Sequence, residues 1–331
     1  MRYITIGKSG IQVSSMGMGT WAIGGGTWWG ENDDDRSVEA IRRALDGGIT
    51  WIDTAAVYGF GHSEEVVGRA LKGRRDKVVL SSKCGLQWEN HNGTFHFSLD
   101  GRDVYRDLSA AGLRRDLENS LRRLGTDYID VYYTHWQSVA PAAVPISETM
   151  GELMKMKQEG KIRAIGASNV EVRHLGEYLK YGQLDVIQER YSMLDRRVET
   201  ELLPFCQEHG ITLQTYSPLE QGLLTGKIGM DYQIKPGEVR EKRKWMRPEN
   251  RRLAIDMLEK WKDLTEKYGC TVGNLVIAWT MARSKNFEVL CGARKTEQVE
   301  ENLKAADLSI EEKDLARMAA DANTAIAASK D

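Results

Sequence analysis

Four side chains in the first half of the chain, Asp53, Tyr58, Lys83 and His135, could between them move a proton to or from a carbonyl oxygen. A phenol, with a pKa of about 10, is a poor proton donor at neutral pH, and an ammonium held beside it lowers that pKa by stabilising the phenolate. A lysine taken out of water tends to lose its charge unless a carboxylate keeps it cationic, which Asp53 can do. A histidine on a neighbouring strand can donate to the same oxygen that the tyrosine protonates. Such a set suits reduction of a carbonyl or oxidation of an alcohol. It holds no nucleophile paired with a base, as acyl transfer needs, and no second carboxylate, as glycoside hydrolysis needs. Singly, the residues have plainer readings, Asp53 as a turn or capping residue and Tyr58 as an aromatic packed on a rim.

To act together, each must stand at the end of its own strand, on one side of one sheet. Residues 49–52 form an apolar, β-favouring run that delivers Asp53 and then Tyr58 into the turn that follows. Residues 77–82 lead to Lys83 and residues 128–134 to His135, while runs at 162–167, 184–187 and 211–215 end in Ser168, Gln188 and Tyr216. Strands at 15–19 and 287–290 open and close the series. Helical spacing of apolar residues fills the intervals. The helix Asp34–Asp46 carries Val38, Ile41 and Leu45 and stops at Gly47 and Gly48; 63–71 has Ser63 as its N-cap; 108–124 has a stripe of Leu113, Leu117, Leu121 and Leu124. Further helices are expected at 146–158, 172–179, 199–209, 253–268, 272–282 and 296–305.

Eight such units without a composition break predict an α/β protein, a single (β/α)8 TIM barrel over residues 1–331, with a doubly wound open sheet as the alternative. Residues 2–14 alternate and turn at Lys8, Ser9 and Gly10, which predicts an N-terminal β-hairpin across the bottom of the barrel. The polar strand ends would then share one mouth, where barrel enzymes place their active sites. Two connections, 84–107 after the third strand and 217–252 after the seventh, far exceed the roughly 2 to 6 residues of ordinary α/β loops and are expected to have work at that face. The series Gly17, Gly19, Ala22 imitates a dinucleotide-binding fingerprint. The match is rejected because glycines and tryptophans follow, with no helix expected before about residue 33.

Composition narrows the classes. A net charge of -2 gives no overall field for nucleic acid or an anionic membrane. No run approaches the roughly 18 apolar residues of a membrane span, and the N-terminus lacks a signal-like apolar stretch, so a cytoplasmic protein is expected. Cys84, Cys206, Cys270 and Cys291 are scattered, which suits reduced thiols rather than a disulfide or zinc framework. His91 and His96 stand apart from acidic or thiol partners, so no metal site is expected. Cys84, beside Lys83, could be a reactive thiolate, but a small buried residue is the reading preferred. The basic run 240–252 reads as a solvated loop, part of which could close over an anionic ligand.

The motifs Asp53-Thr54-Ala55-Ala56-Val57-Tyr58-Gly59, Ser82-Lys83, Tyr133-Thr134-His135-Trp136, Gly160-Lys161-Ile162-Arg163-Ala164-Ile165-Gly166-Ala167-Ser168-Asn169 and Tyr216-Ser217-Pro218-Leu219 occur in this order. In that ordered set, over about residues 3–308, the chain resembles the aldo-keto reductase superfamily. It is nearest to bacterial members carrying Gly222-Leu223-Leu224-Thr225-Gly226-Lys227, which is also found in the β subunits of voltage-gated potassium channels. The resemblance implies Tyr58 as general acid, Lys83 and Asp53 as its tuning pair, and His135 orienting the carbonyl. It implies a nicotinamide ring on Tyr216 with its carboxamide at Ser168, Asn169 and Gln188, and a pyrophosphate near Ser217, Pro218, Leu219, Gly222 and Lys227. Gly19, Thr20 and Trp21 join the cofactor set, and Glu301 and Asn302 match the family's adenine contacts.

Members that prefer NADP commonly have lysine and arginine where this chain has Gly292 and Gln298. With Ala293 and Arg294 alongside, Arg294 is then the cation expected on the 2′-phosphate, with Gln298 assisting, at a helix N-terminus. The expected activity is an NADP(H)-dependent oxidoreductase acting on a small aldehyde, ketone, sugar or alcohol, with NAD as a second cofactor. The alternative is a cofactor-binding regulatory module with little turnover. Substrate walls would come from residues 21–29, 88–97, Trp136 and the C-terminal segment. Oligomeric state is not legible.

Overall fold

A computed structural model of the chain describes residues 1–330. Strands β1 (Tyr3–Thr5) and β2 (Gln12–Ser14) form an antiparallel hairpin. Eight more strands, β3 (Met16–Gly19), β4 (Trp51–Asp53), β5 (Val79–Cys84), β9 (Ile129–Thr134), β10 (Ile162–Ser168), β11 (Val186–Arg190), β12 (Thr212–Tyr216) and β13 (Phe287–Gly292), close into a ring. Around that ring they run β10-β11-β12-β13-β3-β4-β5-β9, and every pair is parallel. Closure excludes the doubly wound sheet. Strands such as β5 and β9 are buried at every residue, because one face meets helices and the other fills the barrel.

The helices are α1 (Gly26–Trp29), α2 (Asp34–Asp46), α3 (His62–Leu71), α4 (Ala110–Leu124), α5 (Ile146–Gln158), α6 (Val172–Tyr181), α7 (Leu202–His209), α8 (Pro248–Glu259), α9 (Lys262–Tyr268), α10 (Val272–Ala282), α11 (Thr296–Ala305) and α12 (Glu312–Ala328). Local signals set several ends. Asp33 accepts from the Arg36 amide at 3.1 Å to start α2, and Ser109 accepts from the Gly112 amide at 3.1 Å to start α4. The leucine stripe of α4 is buried as its spacing requires. Below the ring, Ile6, Ile11 and Val13 from the hairpin pack on Trp51, Val131 and Tyr133 and seal the barrel's lower end.

Four expectations change. Ser63 does not cap α3; Gly61, with φ 103, begins the helix, and the Ser63 hydroxyl is instead buried against Thr20 and Thr54. The interval after β3 contains a 3-10 turn, Trp21–Gly24, and the short α1 before α2, so helical turns precede residue 33. The stretch 253–268 is two helices, α8 and α9, the first starting at Pro248, and 199–209 is a 3-10 turn followed by α7.

The long insertion after β5 folds into its own antiparallel sheet, β6 (Leu86–Gln87), β7 (Thr94–Leu99) and β8 (Arg102–Arg106), in the order β6-β8-β7. It stands over the mouth together with Trp21, Trp88, Phe97 and Trp136.

Candidate active site

Asp53 ends β4 and Lys83 lies near the end of the adjacent β5, so parallel pairing sets their side chains together inside the ring. The Lys83 ammonium donates to Asp53 Oδ1 at 2.6 Å, to the Thr54 carbonyl at 2.9 Å and to the Tyr58 oxygen at 3.1 Å. Its three hydrogens are thereby engaged. Because an ammonium can only donate, the phenol's own hydrogen must point elsewhere, and Tyr58 lines the cavity. Asp53 is held in turn by the Ser81 hydroxyl at 2.7 Å and the Gln188 amide at 2.9 Å. Trp51 donates to Ser81 at 2.9 Å and steadies that contact.

Burial, and then the Asp53 charge, pushes the Tyr58 phenol well above its usual range, against the lowering expected from the ammonium alone. Desolvation outweighs the attraction, because the carboxylate that keeps Lys83 charged also opposes a phenolate. Burial lowers Lys83 while Asp53 raises it. His135 follows β9 with its amide on the Cys84 carbonyl at 3.0 Å, and its ring meets the Tyr58 ring edge-on at 5.8 Å. Burial, then Lys83 and His96, hold its pKa well below 6.5, so the imidazole is neutral and can donate. Cys84 is buried, its thiol is raised far above its ordinary range by burial, and it donates to the Tyr133 carbonyl at 3.2 Å. No reactive thiolate sits here.

The turn carrying Tyr58 is fixed by a backbone-to-backbone contact. Gly59 has φ 62, and a Cβ on Gly24 would lie 2.7 Å from the Gly59 nitrogen. Only glycine at both positions lets the 3-10 turn and the Tyr58 turn lie this close.

A cavity of about 1070 Å³ opens from these residues. Its wall includes Asp53, Tyr58, His135, Gly19, Trp21, Ser168, Asn169, Gln188 and Tyr216. Farther along come Ser217, Pro218, Leu219, Gly222 and Lys227, then Gly292, Ala293, Arg294, Gln298, Glu301 and Asn302. Thr20 is not part of this wall: it is fully buried, and its hydroxyl donates to the Asp53 carbonyl at 2.9 Å. Asn169 accepts from the Tyr216 hydroxyl at 3.0 Å and donates to the His135 carbonyl at 2.9 Å, which ties the β9, β10 and β12 ends together.

The far end of the cavity suits an anion. Ser217, Glu220 and Gln221 take φ of 60, 46 and 55, and Gly222 has φ 103, so the chain after β12 is sharply kinked. Left-handed non-glycine residues cost of order 1–3 kcal/mol each and persist where surroundings fix them. Here Glu220 is held by Arg190 and Ser192, and the Gln221 carbonyl accepts from Arg240 at 2.8 Å. Around that kink stand Arg240, paired with Glu238, and Lys227, paired with Glu301. The Arg243 guanidinium also lines the cavity and makes no hydrogen bond or ion pair among the described residues. Arg294 donates to the carbonyls of Trp29 and Glu31, each at 3.2 Å, and its own amide donates to Gln298 at 3.0 Å. A flat aromatic with amides at one end, and cations with a bent backbone at the other, fit a dinucleotide laid along the cavity.

Sequence reasoning put His96 inside the wall stretch 88–97 without giving it a role of its own, and read 240–252 as a solvated loop of which part could close over an anionic ligand; Arg240 and Arg243 line the cavity. The arginines' clustering was the available signal; nothing in the sequence sets His96 apart from its neighbours in 88–97. Among the described residues no group of His, Cys, Asp and Glu could hold a metal ion, and no helix is long and apolar enough to cross a membrane.

The family model described as the Aldo/keto reductase family matches residues 15–322. The NADH-specific methylglyoxal reductase of Escherichia coli (strain K12) is 48% identical over 320 residues, 96% of this chain and 97% of that protein. Among solved structures, the glycerol dehydrogenase AKR11B4 from Gluconobacter oxydans matches with a TM-score of 0.88 at 33% identity, over 99% of this chain and 97% of its own. An aldo-keto reductase from Klebsiella pneumoniae in complex with NADPH matches at 0.72 and 30% identity, over 96% and 94%. With its closed parallel barrel and with these relatives along almost its whole length, the chain belongs to the aldo/keto reductase family.

Proposed function

We propose that this aldo/keto reductase interconverts a small aldehyde, ketone or sugar and its alcohol, with Tyr58 as the general acid and base. The observation that carries the reading is the triple engagement of Lys83, which makes the Tyr58 oxygen an acceptor on that side and leaves the phenol's own hydrogen to be donated elsewhere. In reduction, Tyr58 gives that proton to the developing alkoxide while His135, neutral, donates to the same oxygen. Asp53 keeps Lys83 charged, and the ammonium stabilises the phenolate left behind. Alcohol oxidation runs these transfers backwards.

A bound nicotinamide dinucleotide supplies or accepts the hydride. Tyr216, Ser168, Asn169 and Gln188 would hold its nicotinamide end, and the kinked segment from Ser217 to Gly222 with Arg240, Arg243 and Lys227 its phosphates. NADP(H) is the reading that Arg294 supports. NAD(H) is the second reading, favoured because Arg294 is already bonded to two carbonyls and because the relative at 48% identity is named NADH-specific.

The test is purified protein with NADH or NADPH and a panel of aldehydes and ketones, following nicotinamide absorbance. Carbonyl-dependent oxidation of either cofactor is expected. None with either, despite measurable cofactor binding, would refute the enzyme reading and leave a cofactor-binding module.

A further inference from the structure

His96 lies on the cavity wall by means of a β-bulge. Along the β7–β8 pairing, Phe95 faces Tyr105 and Phe97 faces Val104, so β7 advances two residues where β8 advances one, and His96 is the extra residue. Strict alternation would send neighbours to opposite faces. The bulge instead brings His96 and Phe97 both to the cavity while Phe95 stays exposed.

The ring has one proton arrangement. Arg106 approaches His96 Nδ1 at 3.1 Å, and a guanidinium can only donate, so Nδ1 accepts and the imidazole hydrogen sits on Nε2. Arg106 is itself fixed by the Gln137 carbonyl at 3.2 Å and by lying 4.9 Å over the Trp136 ring. Phe97 and Trp136 clasp the imidazole edge-on at 5.0 and 5.1 Å. Burial and then Arg106 lower its pKa to about 4, so the ring stays neutral at physiological pH. Nε2 has no partner among the described residues. His96 is also near enough to His135 to depress that residue's pKa. The mouth thus holds two neutral imidazoles, one on the barrel and one on the inserted sheet, with Tyr58 beside the first.

Tyr58 and His135 together satisfy one substrate oxygen, so the donor on His96 calls for another. We propose that His96 is a substrate-binding residue whose Nε2–H donates to an oxygen on the carbon next to the reacting carbonyl. The site would then favour 2-oxoaldehydes and α-hydroxy carbonyl compounds over simple aldehydes of the same length. This deepens the reductase reading and rests on it. Arg106 acts through His96, as a positioning residue that fixes which nitrogen carries the hydrogen.

The test compares kcat/KM for methylglyoxal with that for propanal, a three-carbon aldehyde lacking the second oxygen. The quantity read is the ratio of the two, so intrinsic reactivity cancels between variants. His96→Phe keeps a ring between Phe97 and Trp136 but no donor, and its ratio should fall roughly tenfold, the effect of one lost hydrogen bond. His96→Gln, with an amide near the Nε2 position, should hold the ratio within about threefold of the parent. An unchanged ratio in His96→Phe would overturn the proposal, as would equal falls in Phe and Gln, which would mark His96 as packing only. If His96→Phe does not fold, His96→Met serves the same comparison. Failure of the parent protein to reduce either aldehyde would sink the reductase reading, whereas reduction of both with an unmoved ratio sinks only the role of His96.

Discussion

On the reading proposed above, Tyr58 is the proton donor, and the Lys83 ammonium donates to its oxygen at 3.1 Å. Tyr58→Phe keeps the ring against Trp21 and removes the transferable proton, so turnover should drop by at least the roughly 10²-fold of a general acid while the cofactor dissociation constant stays put. Near-parental turnover in that variant would end the assignment. Because burial and Asp53 hold the phenol well above its ordinary pKa, it remains protonated through the neutral range. Reductive kcat/KM should therefore be flat between about pH 6 and 9, with alcohol oxidation climbing over the same interval as the phenolate becomes accessible. A reductive rate that halves for each step through neutrality would point to another acid. For the cofactor, the ratio of NADPH to NADH dissociation constants, measured in the parent and in Arg294→Ala, tests the remaining cation. One charge-assisted contact corresponds to roughly one to two decades. A parental ratio near one favours NAD, and a ratio the substitution leaves unaltered places the phosphate elsewhere. Strand-end residues were legible because each apolar run hands over one polar side chain at its close, as at Asp53, Lys83 and Gln188. The stretch 88–97 was legible as wall, but not that His96 within it faces the cavity, since a bulge leaves the amino-acid pattern of a strand unchanged and shows only in its pairing. That the Thr20 hydroxyl is buried on the Asp53 carbonyl was not legible, because position beside a glycine turn does not reveal which way a hydroxyl faces.

Among the elements, the segment that joins β12 to α8 is the one a dinucleotide should order. It contains two 3-10 turns, Glu220–Thr225 and Lys244–Met246, and carries Arg240 and Arg243 to the cavity. With anionic phosphates between the kink and those arginines, the segment gains partners that it otherwise lacks. Limited proteolysis within residues 226–243 should slow markedly when saturating NADH or NADPH is added, and equal cleavage with and without either would count against that closure. The barrel itself was readable from the sequence because strand and helix periods alternate without interruption. Connections were less so. The spacing of residues 253–268 is helical on both sides of the break at Lys260, so periodicity alone could not divide α8 from α9. Ser63 has the residue type of a cap, but three buried oxygen partners bind it more firmly than a helix end would.

Across the whole molecule, the barrel interior is not uniformly apolar. Under the site, Gln188 donates to both Asp53 and Gln214, Tyr133 donates to Gln214 at 2.9 Å, and Glu288 lies beside Gln214 wholly buried. Neither Glu288 oxygen makes a hydrogen bond of good geometry, although Gln214 lies close enough to favour the charged form, and a Cβ on Gly17 would collide with one oxygen, so that glycine makes the carboxyl's room. Burial, and then Asp53, raises the Glu288 pKa well above 4.5. A folded state that holds its proton more tightly than the unfolded chain is favoured fully below pH 4.5, and that contribution is lost as pH rises toward the folded pKa. Glu288→Gln removes the titration, so its melting temperature should gain more over the parent at about pH 8 than at about pH 5. An equal difference at both would show that Glu288 does not titrate between the two states. The inserted sheet offers a different consequence. β6, β7 and β8 pair only with one another, while Asp53, Lys83 and the cavity wall from Ser168 to Asn302 belong to the ring and its other loops. On the proposal that His96 binds substrate, residues 85–107 can therefore be rewritten to change substrate preference while the Asp53, Tyr58 and Lys83 cluster on the barrel stays as it is.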